Sequence, residues 1–142
     1  VGVIPEVISS MEEAGWENGI EGFMATSDLQ RVAEYIDQYL PEIYYVNSEP
    51  GCVDIMASGV SKWRGIKILA ESLNIAHEDI LTVGNYYNDI DMLQHAGVGI
   101  AVANSLPEVK DVADFVTEYD NNHDAVAEII SKMLHHEYDM TK

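Results

Sequence analysis

The sequence predicts an α/β protein, an open parallel sheet in its second half preceded by a smaller α+β unit. Two observations carry this. After residue 60, short and almost wholly apolar runs, "ILTV" and "VGIAVA", alternate with segments of helical period. That is the pattern of parallel strands buried on both faces. Before residue 58, β-rich runs surround one helix and a Pro-Gly turn, which reads as a β-α-β-β unit. Hydrophobic residues make up 47% of the 142, enough for a packed core.

The elements follow in order. Residues 6–14 have helical spacing and are broken by "GWENG". "IEGFMATS" is strand-like. "SDLQRVAEYIDQYLP" is a helix that Ser27 or Asp28 can cap, with Leu29, Val32, Ile36 and Leu40 on one face and Pro41 as its stop. "EIYYVNS" and "CVDIMA" are strands around the turn "EPG". "KWRGIKILAESLNI" is a helix with Ile66, Leu69 and Leu73 on one face. "DILTVGN" is a strand, "YNDIDMLQHAG" a helix ending at Gly97, and "VGIAVAN" a strand. "SLPEVKDVA" is a short helix with Pro107 near its start, "DFVTE" a strand, and "HDAVAEIISKMLHH" the last helix. The change of grammar near residues 58–61 divides the chain into residues 1–58 and residues 59–142.

Charge narrows the function classes. With 25 acidic and 7 basic residues the net charge is −18. Nucleic acid and anionic membrane surfaces are excluded as natural partners, because phosphate backbones demand clustered Lys and Arg. No apolar run approaches the ~20 residues that span a bilayer. Cys52 is the single cysteine, so no internal disulfide forms and a reducing cytoplasm is the expected compartment. Its strand-like surroundings read as a buried structural thiol. His135 and His136 read as part of a solvated tail, and Trp16 and Trp63 as core or interface residues. Lys62, Arg64 and Lys67 form a local basic cluster in an otherwise acidic chain. It suits a small anion or, equally, offsets the acids around it.

"LTVGNYYNDIDML" concentrates oxygen ligands where a parallel strand ends, the edge at which open α/β sheets bind ligands. Asn85 and Asp89 are four apart and share one side of the helix start. Hard cations such as Mg²⁺ take carboxylate, amide and water oxygens. A helix start also favours phosphate. The competing reading is structural: Asn85 caps the helix while Asp89 and Asp91 complement its dipole. Spacing alone does not separate the two.

The stretch "SGVSKWRGIKILAESLNI…EDILTVGNYYNDIDMLQHAGVGIAVANSLPEVKDVADFVTE" resembles the C-terminal half of the Cof-type phosphatases of the haloacid dehalogenase (HAD) superfamily. The resemblance runs from about Ile20 to Met133 and is most specific over 59–117. It implies a HAD-like Rossmannoid core, of which this chain carries the C-terminal half, with the remainder of a small α+β cap in residues 1–58. It also implies hydrolysis of small phosphomonoesters of sugar-phosphate type, with Mg²⁺ as cofactor. Lys62 falls on the lysine that neutralises the phosphate and the nucleophile. "GNYYND" falls on the G-D-x-x-N-D motif. Asn85 and Asp89 take the metal positions and Asn88 a phosphate position. Asn104, in an "NS" turn, takes a further phosphate position.

Three departures stand against the family pattern. Asn85 replaces an Asp and removes a charge from the metal site. Trp63 stands where Gly is usual, and His123-Asp124-Ala125 replaces a "DGV"-like turn. The nucleophile motif D-x-D-x-[TV] is also missing, since the D-x-D at Asp89–Asp91 lies inside the later motif and is followed by Met92. Thr26 is better placed in a cap strand than as the second motif's hydroxyl. The expectation is a piece of a longer phosphatase, inactive alone. The alternative is a non-catalytic remnant that binds a small anion or forms a homo-oligomer through an exposed sheet edge.

Overall fold

β2 (Ile43–Glu49) and β3 (Cys52–Ala57) make a hairpin whose turn places Gly51 at φ 80°, a conformation glycine adopts without steric cost. β1 (Gly22–Ala25) pairs with the other edge of β3, giving an antiparallel sheet of order β1-β3-β2. In this computed structural model the described residues are 22–138, so the expected helix at 6–14 and Trp16 lie outside them. Cross-strand partners alternate between faces with the two-residue period of a strand. Tyr45 and Ile55 are one such pair, and Val46 and Asp54 the next. Tyr45 faces α1 (Leu29–Tyr39), where its hydroxyl donates to Asp37 Oδ2 at 3.1 Å. Val46 and Asp54 therefore look away from that helix, towards the second half of the molecule.

α1 stops before Pro41, as predicted. Its start differs. Asp28 stands at the cap with φ 50° and no side-chain cap bond, so neither it nor Ser27 plays the expected capping role.

The second half holds a parallel sheet of order β4-β5-β6, formed by Leu81–Gly84, Val98–Ala101 and Phe115–Val116. Its two faces carry separate cores. Leu93 of α3 (Ile90–His95), Ala101 and Val109 of α4 (Pro107–Val112) close one. Val98, Ile100 and Ile129 of α5 (Ala125–Leu134) close the other. Each fully buried aliphatic side chain contributes about 1.5–3 kcal/mol. Pro107 occupies the first turn of α4, as its fixed φ favours. The segment predicted as one helix from Tyr87 begins as a 3₁₀ turn, Tyr87–Asp89, and becomes α-helical only at Ile90.

α2 (Lys62–Leu73) joins the halves and packs on α3. Of the apolar face read from the sequence, Ile66 is half-buried, whereas Leu69 and Leu73 are exposed. The outer edge of β4 has no strand partner among the described residues. None of the described helices is long and apolar enough to cross a membrane.

Candidate active site

Ser61 sets the start of α2. Its hydroxyl accepts from Arg64 N at 3.1 Å, the N-cap bond, and donates to Asp91 Oδ2 at 2.5 Å. Lys62 is thereby placed in the first turn of α2, directed at the end of β4. Its Nζ donates to Asp89 Oδ1 at 2.5 Å. The pair is asymmetric: the Asp89 side chain is 5% exposed and that of Lys62 48%.

Asp89 is held from its other side as well. Its Oδ2 accepts from the backbone N–H groups of Asn85 at 2.7 Å and Tyr86 at 3.1 Å. A buried carboxylate with three donors is satisfied, whereas an unpaired one would cost several kcal/mol. This resolves the capping alternative. The turn is capped by Asp89 reaching back, and not by Asn85, whose exposed side chain makes no hydrogen bond among the described residues. Gly84 makes the approach possible, because a Cβ there would lie 2.4 Å from Asp89 Cβ.

The loop after β5 braces the same turn. Ser105 Oγ donates to Gly84 O at 3.1 Å and Leu106 N to Asn85 O at 3.3 Å. Asn104, next to Ser105, is exposed and turned to the loop after β6. Its Nδ2 donates to Asn121 Oδ1 at 2.7 Å, and its Oδ1 accepts from Asn121 N.

A cavity of about 380 Å³ opens above these residues. One wall carries Lys62, Asn88, Asp91 and Gln94; the opposite wall is the antiparallel sheet, through Tyr44, Val46, Asp54 and Met56. The structure thus brings Lys62 and Asn88 to one cavity and Asp89 against Lys62. Asn85 adjoins at the turn, and Asn104 is held separately by Asn121. The wall residues and Ser61 were missed from sequence. One signal was present, an acid at position 54 inside an otherwise apolar strand.

Asp89 and Asn85 fit a hard divalent cation in chemistry, since both offer oxygen. They are a partial set: no group of three or more His, Cys, Asp or Glu gathers for a metal among the described residues. Phosphate and water oxygens would complete it, as is common for Mg²⁺.

Other candidates are structural. Cys52 is buried and donates to Glu49 Oε1 at 3.2 Å; that hydrogen bond, then burial, raises its pKa, the opposite of the shift that activates a nucleophilic thiol. Tyr87 lines the cavity, but the nearby Glu108 carboxylate raises its pKa and takes its hydroxyl at 3.3 Å. Trp63 stacks on His95 with ring centres 5.7 Å apart. Thr26 follows β1 in the antiparallel sheet, in keeping with a strand of the smaller unit.

Comparison with known proteins identifies the family. The family of haloacid dehalogenase-like hydrolases matches residues 18–130. YxeH of Bacillus subtilis, whose name assigns it provisionally as a phosphatase, is 35% identical over 108 residues, 75% of this chain and 40% of that protein. The 5-amino-6-(5-phospho-D-ribitylamino)uracil phosphatase YcsE of the same organism is 34% identical over 89 residues, 63% of this chain and 35% of its own length. Among solved structures, the HAD subclass IIB sugar phosphatase BT4131 superposes with a TM-score of 0.74 at 29% identity, covering 95% of this chain and 48% of that one. The chain thus spans less than half the length of these relatives. With the family matched over most of its residues, this chain belongs to the haloacid dehalogenase-like hydrolases, in their Cof-type branch.

Proposed function

We propose that the chain is the cap remainder and C-terminal core half of a Mg²⁺-dependent phosphatase of small, sugar-phosphate-like monoesters, acting in the cytoplasm. The observation that carries this reading is the Lys62–Asp89 pair at the end of β4, with Lys62 and Asn88 lining the cavity. In the complete enzyme an aspartate from outside this sequence attacks phosphorus and expels the alcohol, and water then cleaves the phosphoaspartate. Lys62 offsets charge on the equatorial oxygens, Asn88 orients the phosphoryl group, and Asn104 stands at the rim for a further phosphate contact. Asp89 and Asn85 would hold Mg²⁺, which would supply charge neutralisation at the phosphoryl group. The 142 residues alone do not turn over substrate.

The test is phosphate release from a panel of monoesters, with and without Mg²⁺, by the complete gene product and by this chain. Metal-dependent release by the former alone supports the reading. Release by neither defeats it.

A second reading is favoured by the outer edge of β4, which has no strand partner among the described residues, and by the exposed Leu69 and Leu73: a non-catalytic module that pairs with a second copy. It requires a dimer in sedimentation equilibrium of the 142-residue chain, lost when Leu69 and Leu73 are made polar.

A further inference from the structure

We infer that Asp54 is a specificity-determining residue at the leaving-group end of this site. It favours a neutral, hydroxyl-bearing leaving group and turns away one that carries a second anionic group. The inference rests on the phosphatase reading above.

Strand register places the residue. Asp54 lies directly opposite Val46, and Met56 opposite Tyr44, so all four side chains share one face of the sheet. That face is the wall across the cavity from Lys62 and Asn88. A phosphoryl group held by Lys62 and Asn88 therefore projects its ester oxygen, and what is attached to it, towards Asp54.

The chemistry of the wall is selective. Asp54 Oδ1 accepts from Ser48 Oγ at 2.9 Å, which fixes the carboxylate in place. Its Oδ2 receives no hydrogen bond from the described residues, and none of their cations forms an ion pair with it. A half-buried carboxylate oxygen in that state is an acceptor for a substrate hydroxyl. Tyr44 and Gln94 add neutral polar groups, while Val46 and Met56 suit the C–H faces of a short polyol. A carboxylate or second phosphate on the leaving group would instead meet Asp54, with Asp91 on the opposite wall, at close range in a partly desolvated space. Juxtaposed like charges are an effective means of rejection.

The test compares two monoesters that differ by one heavy atom, glycerol 3-phosphate and 3-phosphoglycerate, which carry a hydroxymethyl and a carboxylate respectively at the same position. kcat/KM is measured for both with the complete gene product and its Asp54→Asn and Asp54→Ser variants. The wild type should prefer glycerol 3-phosphate, and both variants should shrink that preference about tenfold, chiefly by gaining on 3-phosphoglycerate. A wild type that hydrolyses p-nitrophenyl phosphate but shows a ratio unmoved by either variant overturns the role of Asp54. A wild type inactive on all three esters overturns the phosphatase reading, and this inference with it.

Discussion

Lys62 Nζ and Asp89 Oδ1 meet at 2.5 Å across 27 residues of chain, joining the first turn of α2 to the turn that follows β4. The nearly buried carboxylate and the half-exposed ammonium act as one unit. In the complete enzyme, Lys62→Met and Asp89→Asn should each lower kcat/KM by about 10²–10³-fold. The double variant should lose far less than the product of the two, because contacting residues are not additive. A double-mutant cycle on phosphate release checks this, and simple additivity would show that the two act separately.

Gly84→Ala is expected to be more disruptive than its size suggests. The added methyl would sit 2.4 Å from Asp89 Cβ and 2.9 Å from its Oδ2. Overpacking of this kind costs about 1–3 kcal/mol. Urea unfolding of the chain should show a lower midpoint with an unchanged slope. A midpoint equal to wild type would mean that the turn yields freely.

Asn85→Asp restores a charge beside Asp89 at an exposed position whose side chain makes no hydrogen bond among the described residues. Mg²⁺ affinity should rise about tenfold, since ligand charge tunes the binding of hard cations. Titration calorimetry of Mg²⁺ into both proteins decides it. Equal affinities would place the metal elsewhere.

Glu128 anchors the start of α5 to the loop after β6. Burial pushes its pKa up, but the Lys132 ammonium at 2.7 Å and the N–H groups of Glu118 and Tyr119 outweigh that, and the net shift is downward from 4.5. A carboxylate with a depressed folded pKa adds stability above its unfolded value, and loses it as pH falls through the folded one. Glu128→Gln should therefore cost about 1 kcal/mol at neutral pH. The gap between variant and wild type should close below pH 4.5, as read by denaturation at a series of pH values.

Much of this architecture was legible in the sequence because its signals are local. Apolar runs marked β4 and β5, Pro41 and Pro107 marked helix ends, and "GNYYND" marked the turn that carries Asp89. What was not legible depends on register and tertiary closeness. Nothing in a linear reading says that Asp54 and Val46 are opposite one another, or that their face looks at Lys62. Spacing left the cap at Asn85 open because an i to i+4 pair permits either residue to serve the turn, and it is Gly84 that allows Asp89 to reach back. Leu69 and Leu73 carry a helical apolar stripe whose partner is not among the described residues, so periodicity foretold burial that the described structure does not supply.

The hairpin of β2 and β3 has a consequence for the order of folding. Its partners are close in sequence, Glu49 pairing with Cys52, so this wall can form on the microsecond scale of an isolated hairpin. The Lys62–Asp89 contact must close a far longer loop before it is rewarded. The cavity wall is thus an early structure and the ion pair a late one. Substitutions at Lys62 and Asp89 should speed unfolding while leaving the refolding rate almost untouched.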